Sequence, residues 1–169
     1  MMLSQLLASL PQVGAVRWIG VRPARRVAPI AVDVVEARPG AGLTGDRFSG
    51  GTQSKRQVTL IQAEHLAVVA QLLQCESIDP ALIRRNIVVS GINLLAFNGA
   101  VFRIGGAVFE GTGGCHPCSR MEEALGSGGY NAMRGHGGIT ARVLEGGLIR
   151  LGDEVRLLHA GQLAAVERE

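Results

Sequence analysis

Lysine is nearly missing from this chain of 169 residues: Lys55 stands alone among 17 basic residues, and the rest are arginine. Planar guanidinium groups favour bidentate partners such as carboxylate or phosphate over diffuse charge contacts. Aromatic residues are scarce as well, at 4%. No basic run is interleaved with them, so no nucleic-acid partner is expected. The core must therefore be aliphatic, drawn from a hydrophobic share of 47%. Cys75, Cys115 and Cys118 make an odd set with no framework spacing. That excludes a disulfide-stapled scaffold and points to a reducing, cytoplasmic setting. No apolar run reaches the roughly 18 residues of a membrane-crossing helix. Met1 to Leu10 lacks the basic flank and apolar core of a signal peptide, so no membrane partner is expected.

Glycine is what the chain has in excess, with 24 residues, about twice the ordinary share. They follow no period, which argues against collagen or low complexity and for tight turns between short strands. Gly14–Val21, Ile30–Ala37, Gln57–Ile61 and Asn86–Val89 read as strands. Val101–Ile104 and Ala107–Glu110 read as a hairpin around Gly105-Gly106. Ile139–Glu145, Leu148–Leu151 and Glu154–Leu158 read as closing strands. Ser4–Leu10 suggests a short helix ended by Pro11, and Arg120–Leu125 one stopped by Gly126. Ala63–Leu73 is the clearest helix, with Leu66, Val69, Ala70 and Leu73 on one face. Residues 159–169 suggest a frayed helix. This pattern predicts one domain over residues 1–169, with a core of about 16–158. Its fold class is mainly β (α+β): a small closed or nearly closed β-barrel with a few short helices.

Chemistry concentrates in Thr112-Gly113-Gly114-Cys115-His116-Pro117-Cys118-Ser119-Arg120-Met121. Two thiols in a Gly- and Pro-rich turn between a strand and a helix can be reached and tuned. A zinc site would need a second paired Cys or His motif, which does not follow. A thioredoxin-like pair would need a βαβ pattern, which the sequence does not display around it. A third reading is one thiolate acting as a soft ligand or nucleophile, with the other incidental or supporting. A fourth is two small buried hydrophobes, which the Gly, His and Pro neighbours favour less here than for Cys75. Cys75 follows an apolar helix face and reads as structural.

Three further segments could serve a ligand. Thr44–Gly51 offers close backbone approach at Gly45 and Gly50-Gly51, with Arg47 suited to an anion and Asp46 to a turn cap. It is not a Walker loop, because no Gly-Lys-Ser/Thr follows. Arg84, Arg85 and Asn86 precede an apolar strand and could hold a phosphate bidentately, or could simply end a helical turn. Glu64-His65 opens the clear helix, where Glu64 answers the helix dipole and a lone His65 makes no metal site.

In order and spacing, these segments resemble the MOSC domain, named for the C-terminal domain of molybdenum-cofactor sulfurase. The resemblance runs from about Val16 to Leu158. Gly45-Asp46-Arg47, the segment Gln57–Leu66, Arg85-Asn86-Ile87-Val88, Ile104-Gly105, Pro117-Cys118 and Gly147–Asp153 carry it. It implies a mainly β fold around a small barrel and a role in molybdenum-cofactor (molybdopterin) chemistry. It implies that Cys118 is the functional thiol, either ligating molybdenum or carrying sulfur as a persulfide. Cys115 stands where related chains often have arginine, which leaves open a disulfide with Cys118 or a persulfide relay. Phe48 replaces a frequent histidine, removing a polar contact.

Two functions follow from the resemblance. One is an oxidoreductase that reduces N-hydroxylated compounds, with Cys118 catalytic and metal-ligating. Asp46, Arg47, Arg84, Arg85, Asn86 and Cys115 would then hold the cofactor, with Lys55 and Arg56 behind them. No flavin, haem or iron–sulfur motif is visible, so an electron-donor protein would be its partner. The other is a sulfur or cofactor carrier that serves an acceptor protein.

Overall fold

The computed structural model describes residues 1–166. After a short helix α1 (Leu3–Ala8), strand β1 (Gly14–Val21) shifts register between Val16 and Trp18, so that Val16 and Ile19, three residues apart, both join the core. Strands β2 (Ile30–Ala31), β3 (Val34–Arg38) and β4 (Gly42–Leu43) are short. Next come β5 (Val58–Gln62), α2 (Ala63–Leu72), a 3-10 turn at Pro80–Ile83, β6 (Ile87–Ser90) and a second 3-10 turn at Leu94–Phe97. Strands β7 (Val101–Ile104) and β8 (Ala107–Gly114) form the expected hairpin. Helices α3 (Ser119–Leu125) and α4 (Gly129–Met133) precede β9 (Ile139–Glu145), β10 (Gly147–Arg150), β11 (Glu154–Leu157) and α5 (Ala160–Val166). The final residues of the expected C-terminal helix lie outside the described part.

Seven strands close into a barrel in the order β1, β6, β5, β9, β8, β7, β11, with β11 returning to β1 at Gly14↔Val155 and Ala15↔Glu154. Closure leaves this sheet few free edges. All its pairs are antiparallel except β5 and β6, which run parallel through Leu60↔Ile87 and Gln62↔Val89. A parallel pair needs a crossover, and α2 supplies it. A βαβ unit therefore exists, but the two cysteines of the turn lie outside it, after β8.

β5 is buried along its whole length because both faces are covered. Val58 and Leu60 face the barrel core, while Ile61 packs with Leu66, Val69, Met121 and Met133 in a second cluster under the helices. Inside the barrel Phe97, Phe102 and Phe109 stack with centroids 4.3 and 5.6 Å apart, so half of the few aromatics form one column.

Two expected strands differ. Ile30–Ala37 divides at Val32-Asp33, because β2 pairs with β1 whereas β3 pairs with β10 and β4 in a separate three-stranded sheet. The Leu148 segment, expected to close the barrel, belongs to that outer sheet as β10.

Candidate functional site

Strand register gathers the interesting segments at one barrel rim. Ile19 near the end of β1 faces Ile87 at the start of β6, and Leu60 of β5 faces both Ile87 and Ile139 at the start of β9. Gly114 at the end of β8 also faces Ile139. The residues just past these points are Arg22, Arg84 to Asn86, Gly137-Gly138 and the turn Cys115–Cys118.

Next to them lies a cleft of about 410 Å³, lined by Arg22, Asp46, Arg47, Phe48, Arg56 and Asn86. Its geometry begins with a backbone clamp. The Arg47 N–H donates to the Arg22 carbonyl at 2.7 Å, and the Arg22 N–H donates to Asp46 Oδ1 at 2.8 Å. Asn86 Nδ2 donates to the same oxygen at 3.3 Å and to the Gly20 carbonyl at 3.2 Å. Asn86 Oδ1 in turn accepts from the Thr59 N–H and hydroxyl at 3.0 and 3.1 Å. Asn86 is buried and acts as a fastener between β5, β1 and the Asp46 loop. Asp46 Oδ2 has no protein donor among the described residues. Gln57, also buried, pins the rest of the loop: its amide nitrogen donates to the Thr52 and Ser54 carbonyls at 3.1 and 3.2 Å.

The cleft is unbalanced in charge. Burial holds the Arg22 guanidinium below the usual arginine range; Asp46 opposes this, and Arg47, Arg56 and Arg120 add to it. Burial likewise lowers Arg84, joined by Arg22 and Arg120, opposed by Cys118, and joined again by Arg47. Among the described residues, ion pairs join Arg38, Arg142 and Arg156 to glutamates, and none of the cleft arginines takes part. Several cations that repel one another around a single carboxylate, Asp46, leave a field that an anion relieves.

The cysteine turn borders this field. Cys118 is exposed and stands just before α3, its carbonyl accepting the Met121 N–H at 2.9 Å. It lies near enough to Arg84 and Arg85 to oppose the lowering of both. Cys115 is buried, its N–H bonded to the Gly138 carbonyl at 2.8 Å and its Sγ receiving Arg56 Nη2 at 3.5 Å.

Arg85 corrects the sequence reading. It is not a free guanidinium waiting for a phosphate: it is buried and bonded to backbone. Nε donates to the Gly137 carbonyl at 2.8 Å, Nη1 to Ile83 at 2.7 Å and Nη2 to Cys115 at 3.1 Å. Burial lowers its pKa, with the Cys115 charge opposing first. Gly137 is obligatory beside it, because a Cβ there would collide with the Cys115 carbonyl.

The expected site residues Asp46, Arg47, Arg84, Asn86, Cys115 and Cys118 thus meet at one rim, with Arg85 beneath them. Lys55 is exposed on the neighbouring loop. Cys75 is exposed rather than a core residue, because it falls past the C-terminus of α2. Arg22 and Arg120 were missed, and Arg56 was given only a background place. Their signal is spatial, and one-dimensional spacing does not carry it. His65 stacks edge-on against His136 at 5.2 Å and is lowered in pKa by burial first and His136 second, with Glu64 opposing. No cluster of three metal-ligating side chains occurs among the described residues.

The model of the MOSC domain matches residues 45–156. The YuaD protein from Bacillus subtilis is similar in structure, with a TM-score of 0.73 and 20% identity over 87% of this chain and 97% of that one. YiiM from Escherichia coli gives 0.66 and 19% identity over 86% and 70% of the two chains. YiiM from Geobacillus stearothermophilus gives 0.70 and 17% over 88% and 76%. At such identities the likeness is one of fold. No curated protein sequence matches the chain.

Proposed function

The chain belongs to the MOSC domain family, and on that premise we propose that it binds molybdenum cofactor through the Cys118 thiolate and reduces N-hydroxylated compounds. The observation that carries the reading is an exposed thiol within the field of a carboxylate-poor arginine cluster. A thiolate is a soft donor suited to such a metal. The phosphate of the pterin calls for unpaired guanidinium groups, which Arg22, Arg47 and Arg56 offer in the cleft. The free Oδ2 of Asp46 is suited to accept a pterin N–H, with Asn86 holding the carboxylate in place. Arg84 lies close enough to Cys118 to face whatever the thiol holds. Arg85 is a positioning residue that ties the cysteine turn to Gly137 and Ile83.

When bound, the cofactor would supply two-electron reduction of an N–O bond. A hydroxylamine takes two electrons and two protons and leaves as an amine and water. The electrons would come from a separate donor protein.

A second reading has one observation in its favour: Cys115, three residues away, keeps its sulfur on Arg56. A persulfide on Cys118 with Cys115 as neighbour would make the protein a sulfur carrier. Protein purified from a host that makes the cofactor separates the two. Molybdenum together with hydroxylamine reduction from a chemical donor is the expected result. Metal without turnover points to a cofactor carrier, and persulfide without metal to sulfur transfer. Absence of metal, turnover and persulfide contradicts both readings.

A further inference from the structure

A second basic hollow, of about 680 Å³, opens beside the cysteine turn, where Ser119 and Arg120 directly follow Cys118. That size falls within the range of small-molecule sites. Three chain segments build it: the loop Arg26–Pro29, the 3-10 turn with Ala81 and Leu82 running into Arg84, and the first turns of α3. Its charged groups are Arg26, Arg84 and Arg120, with Glu123 as the one acid. Among the described residues none of the three arginines is in an ion pair. Its apolar groups include Val27 and Leu82, each 45% exposed, an unusual outlay beside three cations.

The backbone gives a second, independent sign. Among the described residues only three non-glycine residues have positive φ: Arg26 at 62°, Gln74 at 55° and Arg84 at 61°. Gln74 lies just past α2. The other two line this hollow. Left-handed backbone disfavours a side chain with a Cβ, and glycine would sit there without strain. Arg84 ends the 3-10 turn, where such backbone is ordinary. Arg26, however, keeps a side chain at a loop position that glycine would fill without strain, and this indicates a use for that side chain in the hollow.

We propose that this hollow binds a nucleoside 5′-phosphate, its phosphate on Arg26, Arg84 and Arg120 and its base against Val27 and Leu82. The cations alone would suit any anion. The exposed apolar groups ask for a ligand with a flat, poorly hydrated part attached to the phosphate. The site stands whether or not Cys118 holds a metal. The nucleotide is either free or the nucleotide extension of a cofactor seated at the neighbouring cleft.

The test is calorimetric titration of the metal-free protein with AMP, and with inorganic phosphate and adenosine in parallel. AMP is expected to bind at least about ten-fold more tightly than either fragment, since charge and apolar contact act together. Arg26→Gly and Arg120→Ala should each weaken AMP at least about ten-fold, the loss of one charged hydrogen-bond donor. Arg47→Ala, in the other cleft, should weaken it less than either of these. Arg26→Gly should also unfold at no lower temperature than the parent, because glycine accepts the left-handed backbone. No AMP binding, AMP no tighter than phosphate, or affinity lost in Arg47→Ala alone would overturn the proposal. Protein whose cofactor lacks a nucleotide should still take AMP, and its refusal would also overturn the proposal. Refusal of AMP only by protein loaded with a nucleotide-bearing cofactor identifies the ligand as that cofactor's extension, and binding to both identifies a free nucleotide.

Discussion

Arg85 shows how far a residue's type can mislead about its task. Arginine next to arginine before a strand suggests an anion clamp. Here the guanidinium is spent on three carbonyls from three segments, among them that of Cys115. The planar fork of arginine reaches all three at once, and an ammonium does not. Arg85→Ala should therefore destabilise the protein by about 2–4 kcal/mol in urea unfolding, the cost of several buried acceptors left without a charged donor. Arg85→Lys should recover only part of it. A change below about 0.5 kcal/mol would mean that the turn holds itself. Exposed Arg47, by contrast, should affect ligand affinity and leave stability nearly unchanged, as surface charges do.

At the scale of elements, one side chain ties the α3–α4 corner behind Cys118 by two bonds. Glu122 accepts the Gly128 N–H at 2.7 Å and the Tyr130 N–H at 2.8 Å. These two bonds, Tyr130 first, hold its carboxyl below the usual glutamate value. A carboxyl with a lower pKa folded than unfolded adds stability above its unfolded pKa and loses it as pH falls through the folded one. Glu122→Gln should lower the melting temperature near neutral pH and match the parent in acid below the folded pKa. An equal difference at both pH values would contradict the assignment. Element boundaries were legible where one periodicity covered the whole segment. β1 spans Gly14–Val21 as its β-branched residues and Trp18 suggest, and α2 ends within a residue of Leu73. α4 was hidden in a glycine-rich run, because its helix exists by docking Ala132 and Met133 against Met121 and not by its own propensity. Ile30–Ala37 looked like one strand because its apolar residues continue through the point where the chain changes sheets.

For the whole molecule, a closed barrel was legible from short strands and regular glycine turns. The partners were not, since closure of β1 on β11 is a matter of register between the two ends of the chain. The same holds for the site. Cys118, Asp46, Arg47 and Arg84 announce themselves by type and neighbours. Arg22 and Arg120 join them only because the barrel brings the end of β1, the start of β6 and the end of β8 to one rim. That convergence is the basis for treating an exposed sulfur as a metal ligand. The direct test is the molybdenum content of protein from a cofactor-producing host, compared among the parent, Cys118→Ser and Cys115→Ser. The account predicts metal in the parent, none in Cys118→Ser and at most a partial loss in Cys115→Ser. Full retention by Cys118→Ser, or loss confined to Cys115→Ser, would contradict it.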